Sequence, residues 1–432
     1  MESLTNVINP TKMELDSRLV GFFMGDNYMY ITRHIETVLN KAEKQTKVIL
    51  LTGARQVGKT TAIREVFPEY EYITLDDENE LKLAREDRSL FFRDRNFPFI
   101  IDEVQYAKDL FPVIKKVVDE NEKKGQIFLT GSQTYDLLAS ASESLAGRIS
   151  VLELSNLSMR EINGLDYRMP FIPTEDYFQQ RKQANIVYDN IWNQIHRGFY
   201  PDLINEERDW AWFYRDYVRT YIERDVRQIV NIRDEVKFRN FISVVAALSG
   251  QVLKYETIAN TVGIDIKTAQ NWVSVLQSSG IVKLLHCYQN NALKRAIKSP
   301  KIYMMDTGLL CYLVGWNTPE SARNGAMAGE IFETYIVSEI IKSYLNAGED
   351  INNIYYYRDK DKREIDIVIA NNNRLYPIEI KKGATIQKGW TKNFSALKSS
   401  EGVVVEKGCV ICLIDKIHNI SEDAFAIPME YI

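Results

Sequence analysis

Short apolar runs separated by amphipathic stretches dominate the chain from Lys47 to Leu154. Lys47–Thr52, Glu71–Leu75, Phe97–Asp102, Gln126–Thr130 and Ser150–Leu154 each have the length of a strand, with helical periodicity between them. That alternation predicts parallel strands joined by helical crossovers, an open α/β sheet over 47–154. Residues 1–46 read as a helical lead-in. Beyond Ser155 the strand signal fades, and 155–245 carries charge and aromatics at helical spacing in Glu175–Ile195 and Trp210–Ile232. Residues 246–305 form a compact helical unit with a hairpin. The segment 306–432 returns to mixed α/β, with a helix at Glu330–Tyr344 and strands at Ile354–Arg358, Glu364–Ile369, Leu375–Lys381 and Val403–Glu406.

Composition narrows this picture. The 432 residues are 45% hydrophobic and 26% charged, the balance of a folded protein of two or three domains. A net charge of -5 excludes a chain that holds nucleic acid by bulk charge, so any DNA contact needs a local basic patch. No leader pattern is visible and no apolar run approaches about 20 residues, so neither a signal peptide nor a membrane span is expected. Cys287, Cys311, Cys409 and Cys412 are few and scattered, which fits a reducing cytoplasm. Cys409 and Cys412 form a lone CxxC inside the apolar run 408–414, and two buried strand thiols are the reading preferred over a zinc or redox site.

The chemistry-bearing motif is Gly53, Ala54, Arg55, Gln56, Val57, Gly58, Lys59, Thr60, followed by Thr61. It matches G-x-x-x-x-G-K-[ST] between a strand and a helix, the context that a phosphate-binding loop requires. Glycines let backbone N–H groups close around phosphate oxygens, and the helix N-terminus adds its positive end. Lys59 is then placed to reach the β- and γ-phosphates of ATP, and the Thr60 hydroxyl to hold Mg²⁺. Phe97–Asp102 is an apolar strand ending in two carboxylates, Asp102 and Glu103. Asp102 suits a Mg²⁺ partner and Glu103 the base that orients water, against the plainer reading of a solvated acidic turn. Thr130 or Ser132, at the end of another strand, can sense the γ-phosphate, and Ser132 is favoured. With two extra strands between loop and sensor, the arrangement resembles the AAA+ branch of P-loop ATPases. Arg148 precedes the fifth strand and is either a stabiliser of phosphoryl charge, in its own site or a neighbour's, or a salt-bridge partner.

Two further constellations lie downstream. Tyr255–Val262, a turn at Gly263–Asp265 and a helix at Lys267–Ser278 have the rhythm of a winged helix. Ile266, Ala269, Val273 and Leu276 form the apolar side of the second helix, and Lys267, Thr268, Gln270, Asn271 and Ser274 point outward. A hairpin follows with its tip at Gln289–Asn291, and Lys294, Arg295, Lys298 and Lys301 give it a basic wing. The set suits duplex DNA, or else a protein-packing module, since the exposed helix carries one Lys. In the C-terminal strands, Ile365, Ile367 and Ile369 share one face and Glu364 and Asp366 the other. Glu379 and Lys381 share a face in the next strand. Asp366 and Glu379, with Glu333 from the preceding helix, can hold Mg²⁺, and Lys381 beside them can stabilise an attacking hydroxide. The alternative is a salt-bridged strand pair on an inactive scaffold.

Taken together, the phosphate loop, Asp102–Gln105, Leu129–Ser132, Leu145–Arg148, Tyr217–Val226, Asp306–Leu309, Gly329–Glu333 and Pro377–Lys381 resemble a bacterial and archaeal family of AAA+-like ATPases with an attached DUF4143 domain. The resemblance covers the chain from Tyr30 onward. It implies an open parallel-sheet P-loop ATPase, then a helical lid and winged helix, then an α/β domain like the PD-(D/E)xK, or restriction-endonuclease-like, nucleases. Residues Glu223, Arg224 and Asp225 are expected to form an ion network docking the lid. The reading is an ATP-driven enzyme or switch acting on DNA, cytoplasmic, with no membrane partner, and with oligomers left open. A nucleotide-gated protein-interaction switch is the alternative, and a Mg²⁺ nuclease regulated by ATP a third.

Overall fold

The structure is a computed structural model that describes residues 30–432 except 94, 133–134, 183–189, 205–206, 223–234, 290–297 and 398–401. Helix α1 (Ile35–Glu43) leads into β1 (Val48–Gly53), every residue of which is buried. The phosphate loop connects β1 to α2 (Lys59–Val66). Strands β2 (Glu71–Thr74), β3 (Phe99–Asp102), β4 (Ile127–Ser132) and β5 (Ile149–Glu153) complete a sheet ordered β2-β3-β4-β1-β5. All neighbours in it are parallel, as the alternation of strand and helix requires. The register sets Gly53 opposite Ser132 and Thr74 opposite Asp102, so the loop, the acidic strand end and Ser132 lie on one edge of the sheet.

Helices Glu175–Lys182, Ile191–Arg197 and Trp210–Tyr217 occupy the next segment. The middle unit contains helices Glu235–Ala247, Tyr255–Val262 and Ile266–Ser278. Its sheet runs β6 (Gln251–Val252), β8 (Lys301–Met304), β7 (Val282–Leu285), all antiparallel. The Ile266–Ser278 helix buries more than its sequence pattern predicts. Trp272 packs edge-on against Phe238 and Phe241, while Ile266 is left 44% exposed. The C-terminal unit has helix Ala328–Leu345 and a mixed sheet ordered β14 (His418–Ser421), β15 (Ala424–Pro428), β13 (Gly408–Cys412), β11 (Arg374–Lys381), β10 (Glu364–Asn371), β9 (Ile354–Arg358). A short β12 (Val404–Val405) pairs with β11. A bulge in β10 sends Ile365 to pack with Val368 and Leu375, away from Ile367 and Ile369, which corrects the single apolar face expected for these isoleucines. Cys409 and Cys412 are buried free thiols in β13, and burial pushes the Cys412 thiol up to about 12.

Asp306 ties these units together. Its Oδ2 accepts from Asn156 Nδ2 at 2.7 Å and the Phe199 amide at 2.8 Å. Its Oδ1 accepts from Tyr214 at 2.6 Å and, as a helix N-cap, from the Leu309 amide at 2.7 Å. Gly308 follows because a Cβ there would lie 2.3 Å from the Tyr214 hydroxyl and 2.6 Å from the Arg197 carbonyl. Asp306→Ala strands four buried donors and should cost about 3 kcal/mol or more of stability. Chemical denaturation checks this, and an unchanged midpoint would contradict it.

Candidate nucleotide site and C-terminal carboxylate cluster

Gly53 must be glycine: a Cβ on it would sit 2.1 Å from the Leu154 carbonyl oxygen. Gln56 and Gly58 adopt left-handed backbone, which curls the loop around the N-terminus of α2. Lys59 is buried and donates to the carbonyls of Ala54 at 2.8 Å and Gly53 at 3.3 Å. Thr60 donates to Asp102 Oδ1 at 2.9 Å, and Thr130 donates to the same oxygen. Tyr72 donates to Asp102 Oδ2 at 2.7 Å. Glu103 has left-handed backbone, with φ 57° and ψ 40°, a conformation that costs a non-glycine residue about 1–3 kcal/mol. Burial raises the Glu103 pKa above the usual carboxylate range, against the pull of Lys59 and of the Gln105 amide that donates to it. Ser132 Oγ is buried without a hydrogen-bond partner among the described residues, and so is Gln105 Oε1. Buried polar atoms are rarely left so, and Gln105 Oε1 lies against Gly131, 2.7 Å from where a Cβ would stand.

The loop is braced from outside the motif. The Arg33 guanidinium donates to Val57 O and Ser155 O, each at 2.8 Å, and pairs with Glu161 at 3.0 Å. Burial alone would raise Glu161, but Arg33, His34 and the Ser158 and His34 amides outweigh it and hold the carboxyl at about 2. Behind the loop a crevice is lined by Ala54, Val57, Gly280, Ile281 and Met305, so the middle unit backs the phosphate loop directly.

A second cluster lies between the middle and C-terminal sheets. Glu333, Glu364, Asp366, Glu379 and Lys381 converge there, with Lys301 of β8 among them. Lys301 Nζ lies 3.1 Å from Glu333, 2.7 Å from Glu364 and 3.9 Å from Asp366, and its side chain is 3% exposed. Tyr303 also donates to Glu333, at 2.7 Å. The Ile380 amide donates to Asp366 at 2.8 Å, and Lys381 Nζ lies 2.6 Å from Glu379 and 3.8 Å from Asp366. Burial and the neighbouring Asp366 push Glu333 up to about 7 and Glu379 up to about 8. Burial would lower Lys301, but Tyr303 and the surrounding carboxylates hold it charged.

Residues 45–163 match the AAA domain model, 188–320 a domain of unknown function (DUF8612) and 328–432 the domain of unknown function DUF4143. The chain joins an AAA domain to a DUF4143 domain. An uncharacterized protein of Mycobacterium tuberculosis is 29% identical over 349 residues, covering 80% of this chain and 73% of that protein. An uncharacterized protein of Methanocaldococcus jannaschii is 20% identical over 417 residues, covering 88% and 84%. Among solved structures, a Walker-type ATPase of Pyrococcus abyssi aligns with a TM-score of 0.39 and 15% identity, over 65% of this chain and 94% of that one.

In the AAA domain the structure brings Lys59, Thr60, Asp102, Glu103 and Ser132 together, but not Arg148. Arg148 lies beside Val48, at the opposite end of β1 from Gly53, and pairs with Asp119 at 2.6 and 2.8 Å. Five residues of strand, about 17 Å, separate it from the loop, so its role in its own site is withdrawn. In the DUF4143 domain the expected residues do meet, but Glu333 is engaged by Lys301 and Tyr303 rather than free for Mg²⁺. Among the described residues no group of three or more carboxylate, imidazole or thiol side chains can hold a metal ion. Lys301 is thus no part of a basic wing, and Lys298 donates to the Arg358 carbonyl at 2.6 Å. Lys294 and Arg295, like Glu223, Arg224 and Asp225, lie outside the described residues. No described helix is long and apolar enough to cross a membrane. Sequence reading missed Arg33 and Gln105. Gln105 sits two residues from Glu103 and is findable, whereas the partners of Arg33 lie 24, 122 and 128 residues away.

The Arg33–Glu161 pair has a testable pH signature. Glu161 is held below its ordinary 4.5, so its stabilising contribution is full above pH 4.5 and is lost as pH falls toward 2. Acid unfolding of wild type should therefore steepen across that window, and Arg33→Met should remove the extra slope. Superimposable melting-temperature profiles would contradict the assignment.

Proposed function

We propose that the AAA domain binds ATP and hydrolyses it to ADP and phosphate. The observation that carries this reading is the convergence of the Gly53–Thr60 cradle, the Thr60–Asp102 hydrogen bond, the half-buried Glu103 and the Ser132 hydroxyl, unpartnered among the described residues, on one sheet edge. The donors suit a triphosphate: backbone amides at a helix N-terminus and the Lys59 ammonium for phosphate oxygens. Thr60 and Asp102 would hold Mg²⁺, which neutralises phosphate charge when bound. Glu103, its pKa raised by burial, accepts the proton of the attacking water, while the bond between the γ-phosphorus and its bridging oxygen breaks and ADP leaves. Ser132 directs that water or the γ-phosphate. Glu103→Gln should keep ATP binding while lowering steady-state phosphate release at least 100-fold. Release at the wild-type rate would remove Glu103 from this role.

We further propose that the middle unit is a winged helix that contacts duplex DNA. Three helices precede the β7–β8 hairpin, and the sheet sets β8 between β6 and β7. The Ile266–Ser278 helix exposes Lys267, Gln270, Asn271, Ser274 and Gln277, and amide side chains suit base edges in a major groove. Among the outward residues only Lys267 is basic, so affinity should be modest and strongly salt-dependent. Titrating fluorescent duplex DNA at two salt concentrations tests this. Gln270→Ala with Asn271→Ala should weaken binding about tenfold, and absence of binding at low salt would favour a protein-interaction module.

A further inference from the structure

We infer that the carboxylate cluster of the DUF4143 domain carries its own cation: the Lys301 ammonium stands in the place of a metal ion and locks the middle sheet to the C-terminal sheet. Lys301 comes from β8, where it pairs with Val252 and Leu285, so the charge is delivered by a different unit from the acids that receive it. Its ammonium offers three donors, and three carboxylates surround it: Glu333 at 3.1 Å, Glu364 at 2.7 Å and Asp366 at 3.9 Å. Those acids come from a helix and from β10. A buried ion left without partners is expensive, so the two sheets are held at the one separation that keeps the pairs.

Most of the remaining ligand capacity is also occupied. Glu333 Oε1 accepts from both Lys301 and Tyr303, at 3.1 and 2.7 Å. Asp366 Oδ2 is taken by the Ile380 amide, and Glu379 Oε1 by Lys381. Gly250 closes the other side, with space for a Cβ no nearer than 3.7 Å to the Glu333 carboxylate. A divalent ion entering here would meet the Lys301 and Lys381 ammonium groups at close range. Among the described residues, Glu379 Oε2 is the buried carboxylate oxygen of the cluster without a hydrogen-bond partner, so it is where an entering metal would first bind. The same geometry removes Glu333 from any metal set and leaves the cluster as a fastening.

Manganese titration of the full-length, nucleotide-free protein, read by electron paramagnetic resonance, tests this directly. Wild type and Glu379→Gln should bind Mn²⁺ identically, with no site tighter than about 1 mM lost on substitution. Lys301→Met should lower the melting temperature by several degrees and gain one Mn²⁺ site, lost again when Glu379→Gln is added. Should Lys301→Met fail to fold, the comparison of wild type with Glu379→Gln decides alone. A wild-type Mn²⁺ site abolished by Glu379→Gln, or a Lys301→Met protein as stable as wild type, would overturn the inference.

Discussion

Four donors converge on the Asp306 carboxylate where the AAA sheet, the helical segment and the middle unit meet. A carboxylate buried to 2% exposure survives only when its lone pairs are filled, and here each donor comes from a different stretch of chain. Asn156 lies in the loop after β5, Phe199 follows the Ile191–Arg197 helix, Tyr214 sits on the Trp210–Tyr217 helix and Leu309 lies in the first turn of the Thr307–Val314 helix. The tight Asp306-Thr307-Gly308-Leu309 sequence is thereby explained: an N-cap, then a hydroxyl that donates to the Ile195 carbonyl at 2.6 Å, then a residue with no room for a Cβ. Ser155 and Asn156 are neighbours, and Ser155 is one of the two carbonyls that Arg33 grips beside the phosphate loop. The path from the loop to the middle unit is therefore short and made of hydrogen bonds between buried groups.

At the sheet edge the same economy of space sets the electrostatics. Asp102 is supplied with three hydroxyls, from Thr60, Thr130 and Tyr72. Glu103, one residue on, has left-handed backbone and is half-buried beside Gln105. Adjacent carboxylates thus receive different environments, and the proposed hydrolysis would use them differently: one to hold a cation, the other to take a proton. The C-terminal cluster handles its crowded acids in another way, through two ammonium groups and one backbone amide.

Much of this was legible in the residues themselves. Periodicity marks β1 to β5, and the loop motif with Asp102, Glu103 and Ser132 marks the candidate nucleotide site, because each depends on local spacing. Long-range pairing is what the sequence conceals. Arg33 reads as an isolated charge before a helix, and Lys301 as one more basic residue of a wing, until folding carries them to Glu161 and Glu333. Arg148 shows the opposite failure, since a residue next to a strand can lie at either end of the sheet, and here it lies at the end away from the loop. The bulge in β10 is invisible for a similar reason: alternation in the sequence continues through Ile365 while the backbone does not. Trp272 is buried by Phe238 and Phe241, more than thirty positions earlier, which no helical wheel of the Ile266–Ser278 segment contains.

In the proposed ATP complex the loop is a triphosphate cradle, and the buried Lys59 ammonium, which donates to the Gly53 and Ala54 carbonyls, would exchange them for phosphate oxygens. Calorimetric titration of Mg·ATP into wild type and Lys59→Ala tests that claim most directly. Saturable one-site binding in wild type, weakened at least 100-fold, or about 2.7 kcal/mol, in Lys59→Ala, is the predicted result. Equal affinities in the two proteins, or no binding in wild type, would contradict it.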